Sequence, residues 1–100
     1  MGELQIMPTK KQTCIVRIKT GNEYHYLKNL FPVEWSQFIS DSIIFNAEFQ
    51  ARDKLWSRNF QLSENLPSSS TFYAPTVSNI EIATYVDGKY DYSVPYIVPV

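Results

Sequence analysis

The residues best suited to chemistry in this chain fall on two short alternating runs. Arg17 and Lys19 stand in the first, Thr13 to Lys19, and Tyr24, Tyr26 and Lys28 in the second, Glu23 to Lys28. Cations hold phosphates while aromatic rings stack on any base, a contact worth ~1–3 kcal/mol per base, so this mixture suits a single-stranded nucleic acid. The same five residues also fit an ordinary solvated sheet face, where a cation over a phenol ring adds about 0.5–1 kcal/mol.

A hairpin must position them. Gly21-Asn22 separates the runs and tolerates the positive φ of a two-residue turn. With that turn Thr20 faces Glu23, Lys19 faces Tyr24, Ile18 faces His25, Arg17 faces Tyr26, Val16 faces Leu27 and Ile15 faces Lys28. Side chains alternate between faces, so Cys14, Val16, Ile18 and Leu27 form a core side, with His25 near its end. Arg17, Lys19, Tyr24, Tyr26 and Lys28 share the other side. Charge follows this division: residues 1–30 carry +3, and residues 31–64 and 65–100 carry −2 each.

Composition favours sheet throughout. Val, Ile, Thr and the aromatics make up 37 of 100 residues, against four Ala and six Leu. The expected fold is mainly β, a small OB-like barrel or a curved antiparallel sheet of five to six strands with one short helix. One hundred residues accommodate a single domain, 1–100. No apolar run reaches the ~18 residues of a membrane span, and Met1 to Lys10 lacks the order of a secretory signal, so a cytoplasmic location is expected, the host-cell cytoplasm if the chain is viral.

The middle of the chain supports two readings. Pro32, Glu34, Trp35, Phe38 and Ile39 predict a short helix with proline in its first turn. Phe45, Ala47, Phe49 and Ala51, then Trp56, Arg58, Phe60 and Leu62, alternate around Asp53-Lys54 and predict a second hairpin. The aromatics from Trp35 to Trp56 also lie near a 3.6-residue period, which leaves an α+β alternative: a four-stranded antiparallel sheet with one long helix over residues 32–56. The hairpin is preferred because Ser42-Ile43-Ile44-Phe45 opens with β-branched residues.

Ser63 to Thr71, with three consecutive serines, predicts an exposed connector. Asp87-Gly88 predicts a last hairpin between Val77–Val86 and Lys89–Val98. Parity favours a three-residue loop with a bulge at Gly88, pairing Thr84 with Tyr90, Ile82 with Tyr92 and Ile80 with Val94. Pro95 and Pro99 lack backbone donors and mark an edge strand or one near barrel closure.

The signals Gly21-Asn22-Glu23-Tyr24 with Tyr26-Leu27, then Tyr73-Ala74-Pro75, Gly88-Lys89-Tyr90 and Ile97-Val98-Pro99, cover about a third of the chain. In this order they resemble the small OB-type single-stranded-DNA-binding proteins of filamentous phages. Glu23 stands where that family favours a basic-proline pair, and Thr76 replaces its usual glycine. The resemblance implies a homodimer binding single strands cooperatively, with Tyr24 or Tyr26 on bases, Arg17 and Lys19 near phosphates, and Tyr90 on a protruding hairpin.

Catalysis is not expected. Cys14 and His25 are the only cysteine and histidine, and the hairpin register separates them along the ladder. The carboxylates show no paired acid–base or metal-loop spacing, and the three glycines form no phosphate cradle, so neither metal nor cofactor is expected. Two functions remain. One is single-stranded nucleic-acid binding through Arg17, Lys19, Tyr24, Tyr26, Lys28 and Tyr90. The other is a viral or mobile-element protein-interaction or assembly domain, using Tyr73, Tyr85, Tyr90 and Tyr96 beside an edge strand. Both fit a homo-oligomer.

Overall fold

Alternation along the first run produces a strand with two unlike faces. In a computed structural model describing residues 11–67 and 79–97, Gln12–Thr20 (β1) buries Cys14, Val16 and Ile18 on one side. Glu23–Leu30 (β2) returns antiparallel, with Arg17 opposite Tyr26, Ile18 opposite His25, Lys19 opposite Tyr24 and Thr20 opposite Glu23. Gly21 takes φ +67° at the first central position of the turn, a backbone that glycine adopts without steric cost. The expected pairing therefore holds from Arg17 to Thr20.

Beyond Arg17 it does not. The ladder ends there, and the expected rungs Val16–Leu27 and Ile15–Lys28 do not form. Ile43–Phe45 takes the place: Cys14 and Phe45 exchange two backbone hydrogen bonds of 2.8 Å each, and Ile43 N–H donates to Leu27 C=O. Phe45 joins the core, so its burial outweighs two further rungs of the hairpin.

Val33–Ser36 is a strand, β3, where a helix beginning at Pro32 was expected. Phe31-Pro32 forms the turn, with a cis peptide bond, and Val33 and Trp35 pair with Leu30 and Leu27. Pairing with β2 supplies hydrogen bonds and buries Val33, whereas a four-residue helical stripe had no long element to complete it. A 3-10 turn follows at Ile39–Asp41.

The second expected hairpin is replaced by two helices, Glu48–Trp56 (α1) and Asn59–Glu64 (α2). The single long helix over residues 32–56 is absent too, since β3 occupies its first turns. Ala51, Leu55 and Leu62 are completely buried and recur at helical spacing against Val16, Ile18, Leu27, Ile80 and Ile82. Local bonds support α1: Arg52 pairs with Glu48 at 3.1 Å, and Gln50 accepts the Asn46 N–H just ahead of the helix. Ser63 and Glu64 close α2 rather than opening the expected connector; residues 68–71 of that stretch lie outside the described range.

Ile80–Val86 (β4) and Lys89–Pro95 (β5) form the last hairpin. The three-residue loop is not adopted. Val86 pairs with Lys89 and Tyr85 with Tyr90, so Asp87-Gly88 is a two-residue turn, and both residues have positive φ, 51° and 81°. That is the type I′ geometry whose twist matches the strands. Parity is corrected in β5 instead: a register shift at Asp91 puts Tyr92 opposite Thr84 and Val94 opposite Ile82.

The sheet order is β3-β2-β1-β4-β5, antiparallel at every step. Mainly β is therefore the observed class, as a five-stranded sheet. Among the described residues it is not closed into a barrel, because β3 and β5 are its edges. Pro95 sits on one of these edges, where its missing donor is tolerated. Helices cover one face, and no described helix is long and apolar enough to cross a membrane.

Candidate functional site

Because Cys14, Val16 and Ile18 point to the helices, Thr13, Ile15, Arg17 and Lys19 point away from them. The neighbouring strands add Tyr24 and Tyr26 from β2, Glu81, Ala83 and Tyr85 from β4, and Tyr90 and Ser93 from β5. Five of the six sequence-predicted residues, Arg17, Lys19, Tyr24, Tyr26 and Tyr90, thus reach one surface. Lys28 is exposed at the register shift between Leu27 and Asn29, where the regular alternation of β2 is broken.

Arg17 is the centre of this surface. Its guanidinium carbon lies 4.0 Å from the centroid of Tyr24 and 5.1 Å from that of Tyr90, joining the two hairpins through cation–π contacts. Tyr90 meets Tyr85 edge-on with centroids 5.7 Å apart, and its hydroxyl lies 2.9 Å from Ser93 Oγ. The Arg17–Tyr90 contact crosses the rung formed by Ile15, Ala83 and Ser93, and Ile15 and Ala83 are buried beneath it.

Sequence reasoning missed Glu81. Its carboxylate accepts from Arg17 Nε at 2.5 Å, and the two side chains are only 12% and 26% exposed. Burial by itself would lower the Arg17 pKa, but the hydrogen bond and charge of Glu81 outweigh it and raise the value. Arg17 stays cationic, yet its charge is largely answered within the face. Tyr85, one of the candidate interaction tyrosines, also borders this face; burial raises its pKa, opposed by nearby Arg17. No local spacing pointed to Glu81, because β1 and β4 meet only through the fold.

The interaction set is divided by the structure. Tyr90 is half exposed and Tyr85 partly buried, but Tyr96 is buried, its hydroxyl donating to Asn59 Oδ1 at 2.6 Å. Tyr96 therefore belongs to the core, and Tyr73 lies outside the described residues.

Cys14 and His25 each have their own hydroxyl partner. Cys14 Sγ is 3.4 Å from Thr84 Oγ1, and His25 Nδ1 is 3.0 Å from Thr20 Oγ1. Cys14 is fully buried and packs as a small hydrophobe. Among the described residues no group of three or more His, Cys, Asp or Glu is arranged to hold a metal ion. No known family, curated protein or solved structure matches this chain.

Proposed function

We propose that this chain is a non-catalytic binding module in which the sheet face opposite the described helices holds a single-stranded nucleic acid. The observation that carries the reading is the placement of Arg17 between the rings of Tyr24 and Tyr90, with exposed Lys19 paired opposite Tyr24. Aromatic side chains spread over neighbouring strands of a sheet give successive bases a stacking platform. Lys19 and Lys28 meet phosphates, while Arg17, held by Glu81, orients the rings. With these two phosphates engaged, the logarithm of affinity falls with the logarithm of salt at a slope of about −1.4.

The test is titration of oligothymidine into the protein at two salt concentrations, followed by tyrosine fluorescence, with duplex DNA alongside. Quenching by the single strand that weakens with salt supports the reading. Unchanged fluorescence at tens of micromolar protein removes it.

A second reading, a protein-interaction or assembly domain of viral or mobile-element origin, is favoured by a different observation. Large apolar side chains stand exposed on the helical side, among them Phe49, Trp56 and Phe60. Aromatic residues of this kind anchor protein interfaces. Duplex and single strands alike failing to bind, with self-association retained, selects this reading.

A further inference from the structure

The outer face of α1 has a pattern that repeats when reversed. Phe49, Arg52, Asp53 and Trp56 stand at i, i+3, i+4 and i+7, one side of the helix, while Ala51 and Leu55 on the opposite side are buried in the core. The two aromatics at the ends of this stripe are 70% and 62% exposed. Between them are one cation and one anion. The same four residues, with the nearly buried Phe45 and with Lys54, line a groove of about 730 Å³.

We infer that α1 is a homodimer interface, pairing antiparallel with α1 of a second copy about a two-fold axis between Arg52 and Asp53. That axis sets Phe49 against Trp56 of the second copy, and Arg52 against its Asp53; each contact occurs twice, as an isologous interface requires. The occupant is a second copy because the stripe is complementary to itself in both charge and bulk. A partner of one charge sign would meet Arg52 and Asp53 with one contact attractive and the other repulsive. Arg52 already holds Glu48 through Nε, and a guanidinium carries five N–H donors, so it can hold both carboxylates.

The exposed aromatics supply the apolar centre of an interface rather than its whole area. Aromatic side chains present about 150–250 Å² each, so at the observed exposures Phe49 and Trp56 offer roughly 300 Å² per protomer. A standard interface takes about 800 Å² from each partner, and the aromatics form its centre, with Lys54 and the remaining polar side chains at the rim. This surface is on the helical side of the sheet, so the dimer leaves the Arg17 face of both copies free.

Sedimentation velocity over a concentration series, combined with tryptophan emission, tests the inference. The wild-type chain is expected to dimerise in the micromolar range with a blue shift as Trp56 leaves water. Trp56→Ala and Phe49→Ala, both at exposed sites, are expected to weaken dimerisation about tenfold or more. Arg52→Glu or Asp53→Lys alone sets like charges across the axis and weakens the dimer; the double variant R52E/D53K restores it. A chain that stays monomeric at a few hundred micromolar overturns the inference. So does a dimer indifferent to Trp56→Ala, or a double variant no better than the single ones. Nucleic-acid titration of the monomeric variants reads the Arg17 face separately, so the two proposals fail independently.

Discussion

Arg17 and Glu81 are 64 residues apart in the chain and meet through a 2.5 Å hydrogen-bonded ion pair across β1 and β4. This pair decides how the candidate face can act. It keeps the guanidinium pinned between Tyr24 and Tyr90, and it answers one of the three cations, Arg17, Lys19 and Lys28, that the sequence puts on the first hairpin.

Glu81→Gln is therefore expected to act in two directions. Losing the anion beside a mostly buried guanidinium should lower stability by about 1–2 kcal/mol, between the values for surface and buried pairs. Removing a negative charge from the face should tighten oligothymidine binding several-fold at low salt. Urea melts and fluorescence anisotropy measure the two; equal binding by both proteins would show that no phosphate passes near Glu81.

Tyr24→Ala is expected to reduce oligothymidine affinity by about 1–3 kcal/mol, the worth of one stacked base. Lys19→Ala should instead flatten the salt dependence, reducing its slope by about 0.7. Anisotropy titrations at several salt concentrations separate these effects. Identical salt slopes for Lys19→Ala and wild type would show that Lys19 meets no phosphate.

Two tyrosines tie stability to alkaline pH. Burial raises the pKa of Tyr85, against the opposing charge of Arg17, and burial also raises that of Tyr96, against its hydrogen bond to Asn59. A pKa raised in the folded state contributes stability that is whole below the unfolded value, about 10, and is lost as pH climbs through the folded one. Urea midpoints should thus fall between pH 9 and pH 11, limits set about that value, and Tyr85→Phe or Tyr96→Phe should fall less. Absorbance at the phenolate band should show both groups ionising above the ordinary tyrosine value, about 10.

Gly88→Ala probes the last hairpin. An added Cβ meets nothing within 4 Å, so the whole effect comes from holding φ at +81° with a side chain present. That conformation costs an L-residue about 1–2 kcal/mol, a drop in Tm of about 4–8 °C per kcal/mol for a domain of this size. Calorimetry measures it, and an unchanged Tm would contradict the type I′ geometry.

The two sides of α1 should respond differently to truncation. Leu55 is completely buried, so Leu55→Ala is expected to cost about 2–5 kcal/mol. Phe49→Ala removes a mostly exposed ring and should change the stability of the monomer by no more than about 0.5 kcal/mol. Denaturant unfolding at low protein concentration gives both values.

How far local chemistry could be read differs by element. At Gly21 the turn residue, the two-residue loop and the alternation agree, and the register near the turn follows from them. At Asp87-Gly88 the turn was legible, but its length was not: the mismatch of parity can be absorbed in the loop or in the strand, and only the pairing places it at Asp91. From Ala47 to Leu62 propensity left strand and helix nearly balanced. Placing Ala51, Leu55 and Leu62 on the sheet settled it for helix, and left Phe49, Trp56 and Phe60 outside, against their hydrophobicity.

What this sequence by itself determined is therefore local: a sheet-rich composition, two tight turns, and the side of the first hairpin on which Arg17, Lys19, Tyr24 and Tyr26 lie. Those features depend on φ preferences and period-two alternation, which act within a few residues. Tertiary structure decided that the five described strands form an open sheet, that Ile43–Phe45 displaces β2 beside Cys14, and that Glu81 and Tyr90 join Arg17. Each of these needs strands far apart in the chain to meet, and which of them meet is set by the burial of a shared core that no single segment contains.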